Sequence, residues 1–239
     1  MNLAILQARM SSSRLPGKVL RDVAGAPMIV RQIERLRRAR SLDRLVVATS
    51  VEASDDGLAD RLQSLGVEVH RGPLGDVLGR FCGALEAFGP ADPVIRLTAD
   101  CPLADPEVID QLLALHAEQD ADYSFVGGAT RTHPHGLDAE VIRAEVLALM
   151  GREAADPYER EHVTPFIYRN PQRFRIAELK SPVDRGGLRW TVDVPDDLVF
   201  VQAVYAALYP ERPAFSSEDV VRFVAARADL AQLGGFRRG

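Results

Sequence analysis

The sequence predicts an α/β protein, a mostly parallel sheet with helices packed on its faces, and three observations carry that prediction. Strand-like and helical patterns alternate four times over the first hundred residues, the rhythm of right-handed crossovers in a layered sheet. The runs LAIL, LVVATS and PVIRLT are predominantly apolar, as in strands covered on both faces. The first and last of these runs end in polar loops dense with charged or small residues. In open α/β sheets, ligands bind beyond the carboxyl ends of the strands.

The opening strand stops at Gln7. PMIVRQIERLRRA, from Pro27 to Ala39, places proline at a first helical position and Ile29, Ile33 and Leu36 on one stripe, and so reads as a helix. Leu45 to Ser50 is a second strand, Asp55 to Leu65 a helix closed by Gly66, and VEVH a short third strand. A helix from Asp76 to Phe88 precedes the strand Pro93 to Thr98, which puts Asp100 at the same sheet edge as the opening loop. Glu107 to Glu118 is helical and DYSFV a strand.

Beyond Gly127 the rhythm changes. The polar stretch GGATRTHPHG leads into LDAEVI, which alternates like a half-exposed strand and predicts an appended sheet and lid. Asp156 to Tyr168 reads as a charged helix and Arg173 to Leu179 as a strand. RWTVDV, Arg189 to Val194, reads as a strand entering Pro195, with two acids in the first turn of the following helix. A last helix spans Glu218 to Arg227, and the tail GGFRRG is expected to be loose.

The chain has 239 residues, ordinary apolar and charged fractions, and a formal charge of −5. It is long enough for a substantial core, and one domain spanning 1–239 with a smaller appendage over about 127–188 is expected. The net charge argues against a surface that coats nucleic acid, and Arg31, Arg35, Arg37, Arg38 and Arg40 read as a solvated helix face. The Met1 end lacks the pattern of a signal peptide and no apolar run is long enough to span a bilayer, so the expected compartment is the cytoplasm. Cys82 and Cys101 lack zinc-ligand spacing, and Cys82 falls in an apolar helical pattern as a core residue.

Chemistry concentrates after the first strand. Arg9, Arg14 and Lys18, with three serines, Pro16 and Gly17 between them, can engage several phosphates at once, the guanidinium groups as forks and Lys18 as a point charge. A loop of solvated cations with a Pro-Gly turn has the same composition. The stretch has neither GxxxxGK[ST] nor GxGxxG. Asp100 and Asp193 each follow a short apolar run. Two carboxylates at one sheet edge can hold a Mg²⁺ ion that completes its shell with phosphate oxygens and water, although each can also serve only as a turn or helix cap.

Together, LQARMSSSRLPGKVL, RLTADCPL, HPHGLDAEVI, YEREHVTPFIY and RWTVDVPDDL resemble the CMP-sugar-acid synthetases, the acylneuraminate and 3-deoxy-manno-octulosonate cytidylyltransferases. They resemble the SpsF-type cytidylyltransferase-like proteins more closely still. The resemblance covers nearly the whole chain. It implies a Rossmann-like nucleotidyltransferase A fold and transfer of a nucleotidyl group from CTP to an oxygen nucleophile, with pyrophosphate leaving. It also implies Arg9, Arg14 and Lys18 as phosphate ligands, Leu6, Gln7 and Ala8 near the base or ribose, and Asp100 and Asp193 as Mg²⁺ ligands. Thr98 and Ala99 fall beside the nucleotide, and Asp76 and Arg80 on the nucleobase side. Arg14, Lys18, Asp100 and Asp193 are the implied catalytic set.

On the acceptor side, the resemblance points to His135, Asp138, Glu140, Arg160, Glu161 and His162, a mixture of cations and acids suited to a hydroxylated sugar acid in surface glycan synthesis. An ion-paired helix face and a solvated loop, with His133 exposed, is the plainer reading of the same residues. The family also implies a homodimer formed through the appended region. The chain departs from the family in having Ala99 where many members have glycine, and Val194 where they have a threonine N-cap worth about 1 kcal/mol. Two alternatives stand beside a cytidylyltransferase: a nucleotidyltransferase for another base or for a phosphonate or phospho-alcohol acceptor, and a non-catalytic nucleotide-binding module.

Overall fold

The computed structural model describes residues 1–230 and Leu233; the tail expected to be loose lies outside the described residues. One seven-stranded sheet organises the molecule. Its strands are β1 (Leu3–Gln7), β4 (Arg44–Ser50), β5 (Glu68–Gly72), β6 (Val94–Thr98), β7 (Tyr123–Val126), β8 (Ala139–Ile142) and β9 (Ile176–Glu178), while β2 (Asp22–Val23) and β3 (Ala26–Pro27) form a separate small hairpin. The sheet order is β5-β4-β1-β6-β8-β7-β9. Strands β5, β4, β1 and β6 are parallel, and β8 runs antiparallel to both of its neighbours.

The apolar runs are explained by two-sided burial. Along β1, Ala4 and Leu6 enter one core, with α1 (Met28–Leu36), α2 (Asp56–Ser64), α4 (Pro106–Glu118), α8 (Pro195–Leu208) and α9 (Ser217–Ala225). Leu3 and Ile5 enter the other, with α3 (Val77–Phe88), α5 (Ala144–Glu153) and α7 (Pro165–Arg169). The chain runs outward from β1 through β4 to β5 and then returns to β6 on the other side of β1. The β1/β6 boundary is therefore a topological switch point, where the loops after Gln7 and Thr98 diverge and leave a crevice.

Several expectations are corrected. Leu137 to Ile142 is no half-exposed appended strand: β8 is inserted inside the main sheet, with Ala139, Val141 and Ile142 buried. RWTVDV is an extended segment rather than a strand, tied by single hydrogen bonds from Trp190 N to His135 O (2.6 Å) and from Val192 N to Asp100 O (2.8 Å). The helix expected from Asp156 to Tyr168 is broken into α6 (Pro157–His162) and α7. Pro165 has no amide proton to carry a helix through, and Val163 between the two takes a left-handed backbone with φ 71°. Helix α5 has no counterpart in the sequence reading. No described helix is long and apolar enough to cross a membrane.

The basic helix face is also more than solvated charge. Arg37 and Arg40 are exposed, but Arg31 and Arg35 are buried. Arg31 Nε donates to Val23 O at 3.0 Å and Arg35 donates to Ala104 O and Phe215 O at 2.8 and 3.0 Å, so these guanidinium groups satisfy carbonyls of the small hairpin and of the segments that lead into α4 and α9. Each lies over an aromatic ring, Tyr209 for Arg31 and Phe215 for Arg35. Cys82 is half-buried against the second core rather than within it. His133 is buried, not exposed.

Arg35→Leu should lower stability by about 2–4 kcal/mol, because two buried carbonyls lose their donor; a fall in the urea midpoint at constant m checks this. The pH dependence follows from His70, His116, His133 and His135, each held below the ordinary histidine range, first of all by burial. The unfolded chain takes up protons there that the folded chain refuses. Stability should therefore be fully present above about pH 6.5 and decline as pH falls below it. Denaturation midpoints at about pH 7.5 and about pH 5.5 should differ in that direction, and His133→Gln should reduce the difference.

Candidate active site

The loop after β1 is shaped by its backbone before its charges matter. Gly17 adopts φ 71°, in the left-handed region, so the chain turns sharply there, and Gly17 N donates to Met10 O at 2.9 Å. Asp55, fully buried, pins the loop from outside by accepting Met10 N at 2.7 Å and the Ser50 hydroxyl. After the turn, Lys18 points inward. Its Nζ donates to Val192 O at 2.6 Å and to Asp193 Oδ1 at 3.2 Å, and lies 3.6 Å from Asp100 Oδ2. The two sequence-predicted aspartates thus converge on one ammonium.

Asp193 collects more cations. Arg14 Nη2 reaches Oδ1 at 3.0 Å and Arg189 Nη2 donates to Oδ2 at 2.8 Å. Burial works against its charge, but the Arg189 hydrogen bond and the Lys18 and Arg14 charges outweigh it and hold the carboxyl below the usual range. Arg189 also bonds Asp197 at 3.1 Å. Asp197 Oδ2 in turn accepts the amides of Asp193 and Val194 at 2.8 and 3.0 Å, the reciprocal half of a capping box, so the entry to α8 is held although Val194 has no hydroxyl to cap it. Thr98 Oγ1 donates to Asp100 Oδ1 at 2.7 Å.

Of these groups, Arg14, Lys18, Thr98, Asp100 and Asp193 line a cavity of about 240 Å³ over the switch point. Of the predicted residues, it brings together Gln7, Ala8, Arg9, Arg14, Lys18, Arg80, Thr98, Ala99, Asp100, Glu161, His162 and Asp193. A second cavity of about 140 Å³ adjoins it and contains Asp138 and Glu140. The two share Arg96 and Thr98.

Four predicted residues stand elsewhere. Leu6 is fully buried in the first core, which removes its side chain from any nucleotide. Asp76 caps α3 by accepting Gly79 N at 2.8 Å and receives both arms of Arg160 at 2.9 and 2.6 Å, so neither lines the cavity. His135 lies behind the site, its Nδ1 3.2 Å from Arg189 Nη1. Arg80, although on the wall, donates to Pro73 O and Leu74 O, both at 3.1 Å, and so also holds the turn before α3.

Arg96 and Arg189 were missed. Arg189 sits in the quoted RWTVDV stretch, four residues before Asp193, a spacing that carries no meaning outside a helix. Arg96 reads as a strand residue, and its partner is 44 residues away.

If Asp76 is a cap, Asp76→Ala should cost about 1 kcal/mol of stability while leaving the thermal shift produced by CTP unchanged. A loss of that shift in a folded variant would return Asp76 to the nucleotide site.

Comparison with known proteins gives the family and the fold. The family model described as cytidylyltransferase matches residues 3–207. The chain is 34% identical to the spore coat polysaccharide biosynthesis protein SpsF of Bacillus subtilis, over 96% of each chain. It is 32% identical to the 3-deoxy-manno-octulosonate cytidylyltransferase of Anaeromyxobacter sp. (strain K), over 76% of this chain and 68% of that one. A solved cytidylyltransferase from Leptospira borgpetersenii superposes with a TM-score of 0.91 at 26% identity, covering 99% of both chains. The Rossmann-like nucleotidyltransferase fold is thereby established, and the chain belongs to the cytidylyltransferase family, a family of nucleotidyltransferases.

Proposed function

We propose that this protein transfers CMP from CTP to a hydroxyl oxygen of a sugar acid, releasing pyrophosphate, with Mg²⁺ as cofactor, and that it serves glycan synthesis. The observation that carries the reading is the meeting of Lys18, Asp100 and Asp193 on the floor of a cavity whose rim holds Arg9 and Arg14. Similarity to SpsF and to the octulosonate enzymes supports the acceptor class.

The donor set fits the metal. Two carboxylates already accommodate one cation between them, in the form of the Lys18 ammonium, and no third acidic, histidine or cysteine ligand joins them among the described residues. Phosphate oxygens and water complete such a shell, as suits Mg²⁺. Asp100 and Asp193 would hold the ion, which when bound neutralises charge at the α-phosphate.

The chain's own groups do the rest. Arg9 and Arg14 grip the triphosphate, and Lys18, drawn to it from the aspartates, stabilises the charge that develops on the departing pyrophosphate. Thr98 fixes the Asp100 carboxylate through its 2.7 Å hydrogen bond. The crevice aligns the acceptor oxygen with the α-phosphorus, and this positioning supplies much of the acceleration. No covalent intermediate with the protein is required.

With CTP, Mg²⁺ and a panel of sugar acids, pyrophosphate should be released; tight CTP binding without release for any acceptor would count against catalysis. Asp100→Asn and Asp193→Asn should each lower turnover by roughly 10²-fold or more in folded protein. CTP should raise the melting temperature more than UTP, GTP or ATP does, and four equal shifts would sink cytosine specificity.

A further inference from the structure

The second cavity contains a charged pair that the nucleotide chemistry does not use. Arg96 on β6 and Glu140 on β8 face each other across the antiparallel ladder, and Arg96 Nη1 donates to Glu140 Oε2. Glu140 is saturated from the other side: its Oε1 accepts the hydroxyls of Tyr123 at 2.6 Å, Thr164 at 2.9 Å and Tyr168 at 3.3 Å. Arg96 is not saturated. Among the described residues its Nη2 makes no hydrogen bond and its Nε is buried without a partner. Burial opposes its charge, but Glu140 more than compensates, so the guanidinium stays a firm cation.

Position adds to this surplus of donors. Arg96 lines both cavities, and among the described residues it is the one cation lining the second. Asp138, the acid there besides Glu140, is already neutralised by Arg131 at 2.7 Å and accepts Gly136 N at 2.8 Å. In a sugar acid whose attacking hydroxyl and carboxylate share one carbon, the two groups lie a few bonds apart. A side chain that grips the carboxylate must therefore stand where the acceptor space meets the α-phosphate space. Thr98, the other shared residue, is already committed to Asp100.

We propose that Arg96 binds the carboxylate of the acceptor and selects acidic over neutral acceptors, with Glu140 holding its guanidinium in place. The proposal rests on the cytidylyltransfer reading and deepens it by assigning acceptor choice to one residue. Arg96 acts on the acceptor alone; the nucleotide grip remains with Arg9, Arg14 and Lys18.

The test compares a sugar acid with its carboxamide for wild type and Arg96→Gln, with the KM of each substrate measured separately. Arg96→Gln should raise the KM for the acid by roughly 10- to 150-fold, the equivalent of one charge-assisted hydrogen bond. It should leave the KM for CTP unchanged and abolish the preference for acid over amide. Because Arg96→Gln strands a buried carboxylate, the double variant Arg96→Gln/Glu140→Gln repeats the measurement with the pair neutral. Glu140→Gln alone should keep the acid preference. If the acid is turned over with unchanged KM and preference in both Arg96 variants, the role of Arg96 is overturned and the proposed reaction stands. If the wild type uses only neutral acceptors, or none, the proposed reaction falls and this assignment with it.

Discussion

The ammonium of Lys18 is the point on which the site depends. Its 2.6 Å bond to Val192 O joins residues 174 apart in sequence, and Asp100 approaches the same nitrogen from a third segment. A lysine only 9% exposed needs partners for its charge, or burial would cost several kcal/mol. The left-handed turn at Gly17 aims it inward, and Arg189 and Asp197 keep the facing segment extended and Asp193 ionised. Lys18, Arg14 and Arg189 surround the Asp193 carboxylate, while Arg9, Arg80 and Arg96 add further cations to the cavity wall.

The central strands were legible because a parallel strand with helices on both faces is mostly apolar until it ends, Arg96 in β6 being tolerated through its pairing with Glu140. Asp100 and the Arg9–Lys18 loop were legible for the same reason, since chemistry begins where the apolar run stops. Period and composition failed where tertiary contacts decide. The segment from Arg189 to Val194 looks like a strand, yet its backbone bonds to neighbouring segments are scattered ones to His135 and Asp100. Arg31 and Arg35 look like solvent-facing charges until the carbonyls of Val23, Ala104 and Phe215 are brought to them. Asp76 and Arg160 sit in motifs that the family resemblance covers, but they bond each other and a helix end, a pairing across 84 residues that no local pattern announces.

Val163 shows how the two cavities are kept in register. A β-branched residue at φ 71° is strained, and it persists here because the side chain is fully buried in the second core. The residue before it, His162, lines the nucleotide-side cavity, and the residue after it, Thr164, donates to Glu140 beside the second. A continuous helix would send residues 162 and 164 to different faces of one rod. The break at Val163 and Pro165 instead lets adjacent residues serve both lobes.

Antiparallel β8 gives the sheet a division of labour. The parallel strands β1 and β6 end together at Gln7 and Thr98 and build the phosphate end with their following loops. Inserted beside β6, β8 runs the other way and places Glu140 directly opposite Arg96, one turn of the pleat from Thr98 on the same face of β6. The second cavity is thus built on the same strand as the first but borrows its other wall from β7, β8 and α7. Those three elements are separate from the segments that carry Lys18, Asp100 and Asp193. Arg96 and Thr98 are the two residues the cavities share, so the pairing of β6 with β8 fixes where one cavity opens onto the other.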